Sequence, residues 1–513
     1  MRKRAEHGAK DELEEATSWN RAFADILVLI RWLDGYCSIN LLSCKKIIKK
    51  FFKITRAHER TEYDTYLHTY ASNKGFAKPD KLTEIKRNLI EYFANVFTGG
   101  DIRQGRRMLD MAKPKTRTKD LVISSLFLGM SISLTLVVII LFFTTGNNDF
   151  EASALYSAFP VFRYTLIIDL CLFALGKVVT FFRRYAVNYI YIFELDPNYR
   201  IREAQIYRVA LIILHIWLFC FFLQIIAFKL SFASINSSLF AYFLFISLTV
   251  IYISPLRYIY RGARVEMLRT MWHIIISPIR EVRFKDFFLA DVFCSLVKPF
   301  QDLTTTLCLF TSSSWISNTK PQCPWLKTGL IITSILPFHW RFMQCLRKYS
   351  DTGDKFPHLV NAAKYMSTII TMVILLLSHW FLLDWNTYYV IGYFISTIYS
   401  YIWDLTMDWG LLRSSTRNFL LREKILFPPK YYYFAMITNF ILRFTWVLTL
   451  FTNSFLYTVQ VYNHLFLFFL GLAEAYRRTQ WSLFRVENEN VNNFEKYRAF
   501  LEIPQLAEDE QEY

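Results

Sequence analysis

The sequence predicts an all-α, polytopic membrane protein of about ten transmembrane helices, four and then a bundle of six, behind an N-terminal cytoplasmic helical region. Three observations carry this reading. First, 54% of the 513 residues are hydrophobic and 18% aromatic, far more apolar surface than a soluble chain with 59 basic and 42 acidic residues needs. Second, the apolar residues gather in uncharged runs as long as a bilayer is thick. Third, the basic residues fall in alternate connecting segments. The same composition excludes a disordered, collagenous or disulfide-rich small protein. It also argues against nucleic acid as a partner, despite a formal charge of +17.

The spans follow in chain order. Residues 121–143 form 23 consecutive uncharged positions, enough helix to cross roughly 30 Å of hydrocarbon at about 1.5 Å per residue. Residues 209–228, 231–256, 366–383 and 456–473 repeat that signal. Weaker windows with internal charge lie at 157–182, 286–312, 328–346, 387–408 and 431–455. With the N-terminus inside, the external loops carry only Lys229, Lys320 and Lys327 as basic residues. The internal loops hold Arg183, Arg184, Arg200 and Arg202 after the second span, Arg257 to Arg283 after the fourth, and Arg413 to Lys430 after the eighth. This positive-inside pattern places both termini in the cytoplasm, and the charged first twenty residues carry no cleavable signal. The expected division is 1–118 soluble helical region, 119–256 four-helix segment, 257–490 six-helix domain and 491–513 acidic tail.

Cysteines are sparse, and no CxxC or Cys/His cluster suggests a metal. Cys308 and Cys323 fall near one external loop, where oxidation is permitted, so they are either a disulfide or two unrelated cysteines. His339, His358 and His379 form no HExxH pattern, and no GxxxxGK[ST] segment is present, so neither an enzyme nor an ATP-driven pump is expected and no cofactor is implied.

Within the soluble region, Lys46, Lys49, Lys50 and Lys53 stand at i, i+3, i+4 and i+7, on one helix face that repels itself and suits a polyanion. The residues alone fit a solvated basic helix beside an anionic leaflet equally well. Together with Asn40, the run resembles the lysine-rich helix of the SPX domain, a sensor of inositol pyrophosphates. It departs from that family in the short segment before Ala16, where a helical hairpin is usual, and in Phe52, where an acidic residue is usual. The resemblance is to a truncated SPX region.

Charges inside spans cost roughly 2.5–3.5 kcal/mol each on insertion scales, so each one is expected to face a cavity or a partner. Arg443 stands near the middle of its window, with Trp446 at i+3. Asp291, Asp404 and Asp408 lie in others, and Glu474 precedes Arg477 and Arg478 at i+3 and i+4, where it can hold both. Guanidinium groups converging with a lysine suit a tetrahedral dianion, and interspersed carboxylates keep such a site escapable. A structural salt-bridge network is the bland alternative.

Phe287-Phe-Leu-Ala-Asp291, Trp340 to Arg347, Phe356 to Tyr365, Trp403 to Gly410, Leu442-Arg-Phe-Thr-Trp446 and Glu474 to Glu489, with Phe193-Glu-Leu-Asp-Pro197 upstream, resemble in order the EXS domain of eukaryotic phosphate exporters. The resemblance implies export of inorganic phosphate through the last six helices by a channel-like or uniport pathway, with regulation by inositol pyrophosphates and a homodimer as further expectations. It implies phosphate or pathway contacts for Asp291, Arg341, Lys364, Tyr365, Asp404, Arg443, Arg477 and Arg478. Trp446 would be an aromatic gate, and Asp408 and Glu474 supporting carboxylates. Cys294 departs from the family, which often has asparagine there. The plasma membrane is the expected location. A Golgi or endomembrane EXS protein acting in sorting or lumenal phosphate recycling is the alternative.

Overall fold

The computed structural model describes residues 80–111, 118–143, 154–185, 187, 189–195, 201–229, 238–256, 260–312, 323–381, 386–413, 418–450 and 460–497, with scattered positions between 19 and 47. The regular structure of the described residues is helical, with no strand among them. The chain divides into two compact units, residues 1–118 with 492–513, and residues 119–491.

In the first unit, α1 (Asp80–Phe97) and α2 (Ile102–Met111) form a hairpin. Ile90, Phe93 and Leu109 bury their side chains with Leu27, because α1 and α2 each repeat apolar residues on one face. The turn needs two residues in left-handed backbone, and Gly99 (φ +62°) and Gly100 (φ +94°) supply them without a Cβ penalty. Asp101 Oδ1 then accepts the N–H of Gln104 at 3.0 Å and caps α2.

The second unit holds α3 (Thr118–Phe143), α4 (Ala154–Arg184), the single turn α5 (Tyr189–Ile192), α6 (Glu203–Lys229) and α7 (Leu239–Ile253). It continues with α8 (Arg261–Ile275), α9 (Phe284–Ser295), α10 (Val297–Thr311), α11 (Leu326–Thr352) and α12 (Lys355–Phe381). The last elements are α13 (Asn386–Trp403), a π-helical turn at Asp404–Asp408, α14 (Pro429–Arg443) and α15 (Gln460–Tyr497). Among the described residues, five helices are long and apolar enough to cross a membrane, over Asp120–Leu141, Ala158–Arg184, Glu203–Ala227, Lys355–Leu377 and Pro429–Leu450, and the 15-residue α7 is a shorter apolar helix. The remaining predicted windows fall on helices that carry charges (α11 and α15) or are interrupted (α9 with α10, α13 with its π turn). α3 leaves Leu121, Leu126, Ile132, Leu136 and Ile140 exposed, as a helix in lipid does.

The four-helix and six-helix segments share one core. Leu309 of α10 is buried with Phe162 of α4, Trp217 of α6 and Leu244 of α7. Arg163 on α4 donates Nε to Asp302 Oδ2 on α10 at 2.6 Å, both side chains being buried. Removing one member of such a pair strands the other charge. Arg163→Met is therefore expected to cost about 3–5 kcal/mol, seen as a lower unfolding midpoint in detergent; an unchanged midpoint would show that the pair contributes nothing. Arg264 donates to the carbonyls of Ile251, Tyr252, Ser254 and Leu256 at 2.6–3.0 Å, satisfying the C-terminal acceptors of α7 and the loop beyond it.

Candidate functional site

Three interrupted helices meet the buried charges. α9 stops at Ser295, Leu296 turns out of helical geometry (ψ 24°), and α10 resumes at Val297. α13 passes into a π turn in which the N–H of Trp409 reaches Asp404 O at 2.8 Å, and Gly410 follows at φ +64°. A Cβ at Gly410 would lie 2.8 Å from Asn488 Oδ1, so a larger residue there would displace the packing that fixes the turn. α14 ends at Arg443, and Phe444 to Trp446 are turns. Through these turns the backbone N–H groups reach carbonyls three residues back, and helix resumes at 447–450. Trp446 packs its ring 4.8 Å from that of Tyr393 on α13.

The pathway residues expected from sequence form one contiguous constellation. Tyr365 donates its hydroxyl to Asp291 Oδ1 at 2.6 Å, and Arg341 Nε lies 3.1 Å from both that carboxylate oxygen and the tyrosine hydroxyl. Lys364 sets its ammonium over the rings of Tyr365, at 4.3 Å, and Trp403, at 5.2 Å. Asp404 Oδ2 accepts from Arg443 Nε at 3.1 Å and NH2 at 2.6 Å, and from Asn439 Nδ2 at 3.0 Å, with Arg477 NH1 at 3.7 Å.

Glu474 pairs with Arg477 through Nε at 2.9 Å and through NH2. It was expected to hold Arg478 as well. Arg478 instead donates Nε to Ser295 Oγ at 2.7 Å and stacks 4.5 Å from the Trp481 ring. Asp408 accepts from Trp481 Nε1 at 3.0 Å with Arg485 Nε at 3.9 Å, and it also lies close enough to act electrostatically on Lys364.

The charge pairing is unequal. Arg341, Arg443 and Arg477 each have a carboxylate within ion-pair distance; among the described residues, Lys364 and Arg478 have none. Both are buried, at 6% and 9% exposure, and both act electrostatically on Asp291 and on Asp404. Buried positive charges with no carboxylate at ion-pair distance are costly unless an anion joins them. Asp408 offsets Lys364 in part, so the five cations and four carboxylates of the site leave a net positive charge, with donors suited to a small anion.

Sequence reasoning missed Ser295, Asn439 and Gln344. Ser295 accepts from Arg477 NH2 at 3.2 Å as well as from Arg478, and Gln344 Oε1 accepts from Arg341 NH1 at 2.7 Å. The available signal was spacing: Ser295 follows Asp291 by four, Asn439 precedes Arg443 by four and Gln344 follows Arg341 by three. Lys348 and Arg485 were also missed; they approach the Phe287 ring at 4.6 and 5.2 Å, beside Arg341 at 5.3 Å. Cys294, at the position of departure, packs beside Cys345, Ala362 and Tyr365. Cys308 and Cys323 are joined as a disulfide, Cα to Cα 5.9 Å. Lys46, Lys49, Lys50 and Lys53 lie outside the described residues. No group of three or more His, Cys, Asp or Glu suited to a metal occurs among the described residues.

Residues 158–491 match the EXS family. Over 490 residues the chain is 27% identical to "Phosphate transporter PHO1" of Arabidopsis thaliana, covering 94% of this chain and 62% of that protein. It is 27% identical to "SPX and EXS domain-containing protein 1" of Dictyostelium discoideum, over 94% of this chain and 53% of that one. It is also 27% identical to "Xenotropic and polytropic retrovirus receptor 1 homolog" of Xenopus laevis, over 95% and 72%. The chain thus spans less than two thirds of the length of the first two.

Proposed function

The chain belongs to the EXS family of membrane proteins, and from that premise we propose that it exports inorganic phosphate from the cytosol through the constellation around Lys364 and Arg478. One observation carries the proposal: two buried cations, Lys364 and Arg478, have no carboxylate within ion-pair distance among the described residues and stand among three arginine–carboxylate pairs, so that even with Asp408 acting on Lys364 the cluster keeps a net positive charge for an anion such as phosphate. The name of the Arabidopsis relative supports phosphate as the cargo.

Phosphate entering from the cytosol takes hydrogen bonds from the Lys364 ammonium and the free N–H groups of Arg478, whose Nε is already fixed by Ser295. Arg341, Arg443 and Arg477 extend the positive lining, and Asp291, Asp404 and Glu474 hold them in place and limit their grip on the ion. Conduction needs an ion bound well enough to enter and weakly enough to leave, and a lining of half-neutralised arginines meets that condition. Tyr365 is bonded to Asp291 and offers oxygen to Arg341, so it orients both. The chain breaks at Leu296 and after Arg443 set side chains and backbone polar groups against the path, as interrupted helices do in other transporters. Trp446, beside Tyr393 and past the end of α14, closes the path and swings with Arg443. An inside-negative potential drives exit by about 2.3 kcal/mol per charge per 100 mV, so no ATP is needed. The lysine-rich SPX-like segment tunes this release in response to inositol pyrophosphates.

The test is release of radiolabelled phosphate from proteoliposomes at two imposed voltages, with and without inositol pyrophosphate. Release is expected to exceed that of protein-free liposomes and to rise as the phosphate-loaded side becomes negative. Release no faster than from empty liposomes, at either voltage, overturns the reading.

A further inference from the structure

A second charged site lies apart from the constellation, between α8, the start of α9 and the turn after α5. It is a cavity of about 600 Å³ bounded by Arg269, Arg280, Arg283 and Lys285 against Glu194 and Glu266. The acids are already engaged. Glu266 pairs with Lys285 at 2.6 Å and Arg269 at 2.9 Å, and Glu194 with Arg283 at 3.6 Å. Burial would raise the Glu266 carboxyl, but Lys285 and Arg269 hold it below its ordinary range. Arg280 has no hydrogen-bond or ion-pair partner among the described residues, and its charge reaches into the cavity far enough to act, after burial, on His273, which is pushed down despite Asp286 at 3.5 Å. The lining therefore keeps an excess of two positive charges with one guanidinium uncommitted.

The rim differs in kind. α8 buries Thr270, His273 and Ile274, and leaves Val265, Leu268, Trp272 and Ile275 exposed at helical spacing, with Ile279 beyond them 80% exposed. Trp272 belongs to both the stripe and the cavity wall. With Arg261, Arg264, Glu266 and Arg269 within fifteen residues, α8 cannot cross hydrocarbon, but a helix with one apolar stripe and arginines beside it lies in a membrane interface.

We propose that this cavity binds the phosphate-bearing headgroup of an anionic phospholipid, whose acyl chains lie along the α8 stripe over Trp272, Leu268 and Ile275. Charge complementarity selects the anion, and the apolar rim selects an amphiphile over a free ion. The volume also exceeds what a bare phosphate fills and lies in the range of small-molecule sites. On the orientation proposed above the lipid belongs to the cytoplasmic leaflet, where anionic lipids attract basic juxtamembrane segments. The lipid would fix α8 and, through Lys285, the base of α9 that carries Asp291.

The experiment measures binding to the purified full chain of four probes: a short-chain phosphatidylinositol phosphate, its free inositol phosphate headgroup, short-chain phosphatidylcholine and inorganic phosphate. The anionic lipid is expected to bind most tightly, with Arg280→Ala/Arg283→Ala weakening it roughly tenfold or more and Trp272→Ala also weakening it. Thermal midpoints without lipid report whether each variant folds. Equal affinity for lipid and free headgroup, or no loss in the arginine variant, overturns the proposal. These readings involve no transport, so they stand or fall separately from phosphate export.

Discussion

A chain with methionine at position 364 is expected to fold at least as well as the parent and to release no phosphate above background. Lys364 is buried, and its ammonium has two aromatic faces but no carboxylate within ion-pair distance among the described residues. A charge held in that way lowers stability unless an anion accompanies it. Methionine keeps the length of the side chain and its contact with Tyr365 and Trp403 while removing the charge. Replacing such a group by an apolar one of similar volume is expected to raise stability without phosphate by an amount on the order of 1–4 kcal/mol, seen as a higher unfolding midpoint. Phosphate should stabilise the parent and not the variant. Loss of one charge-assisted hydrogen bond, about 1.5–3 kcal/mol, weakens binding roughly 10- to 100-fold. Unfolding midpoints with and without phosphate, paired with liposome release, decide the matter. If Lys364 were a structural element, Lys364→Met would unfold earlier and the response to phosphate would persist in what remained folded.

The spans and the charges within them were legible because both follow from the cost of placing backbone and charge in hydrocarbon. A run such as 121–143 has one physical use, and Arg443 in an apolar window demands a partner. The partner itself was less legible. Nothing local announces that helix stops at Arg443, where no glycine or proline stands, but Pro299, in the first turn of α10, has no N–H for the carbonyl of Ser295 and crowds it, a signal for the break there that was passed over. The expected Arg443–Trp446 register assumed an unbroken α-helix, whereas Phe444 to Trp446 are turns. Glu474 could reach both Arg477 and Arg478 by spacing, yet Ser295, 183 residues earlier in the chain, takes Arg478. Which arginine is neutralised, and which is left for a ligand, is decided by tertiary contacts that periodicity does not carry. The α8 cavity was missed for a related reason. Its arginines were read as loop charge that orients the chain, and only the fold turns them toward one volume.

The pair Arg443 and Asp404 separates a pathway from a lock. Arg443→Ala is expected to bring phosphate release down to that of empty liposomes while the protein stays folded, because Asp404 retains Asn439 at 3.0 Å and Arg477 at 3.7 Å. Asp404→Asn acts in the opposite sense on binding. It leaves Arg443 with no carboxylate restraining it, so phosphate should bind about tenfold more tightly and leave more slowly, lowering steady release. If the two residues only fastened α13 to α14, the neutral double substitution Asp404→Asn/Arg443→Gln would remove a charge pair together, leave neither charge stranded, and restore transport. In the pathway reading the double variant folds and binds phosphate poorly, and release stays absent. A double variant that folds and exports at the parental rate would overturn the role given to Arg443, and with it the claim that these guanidinium groups line the route instead of holding helices together.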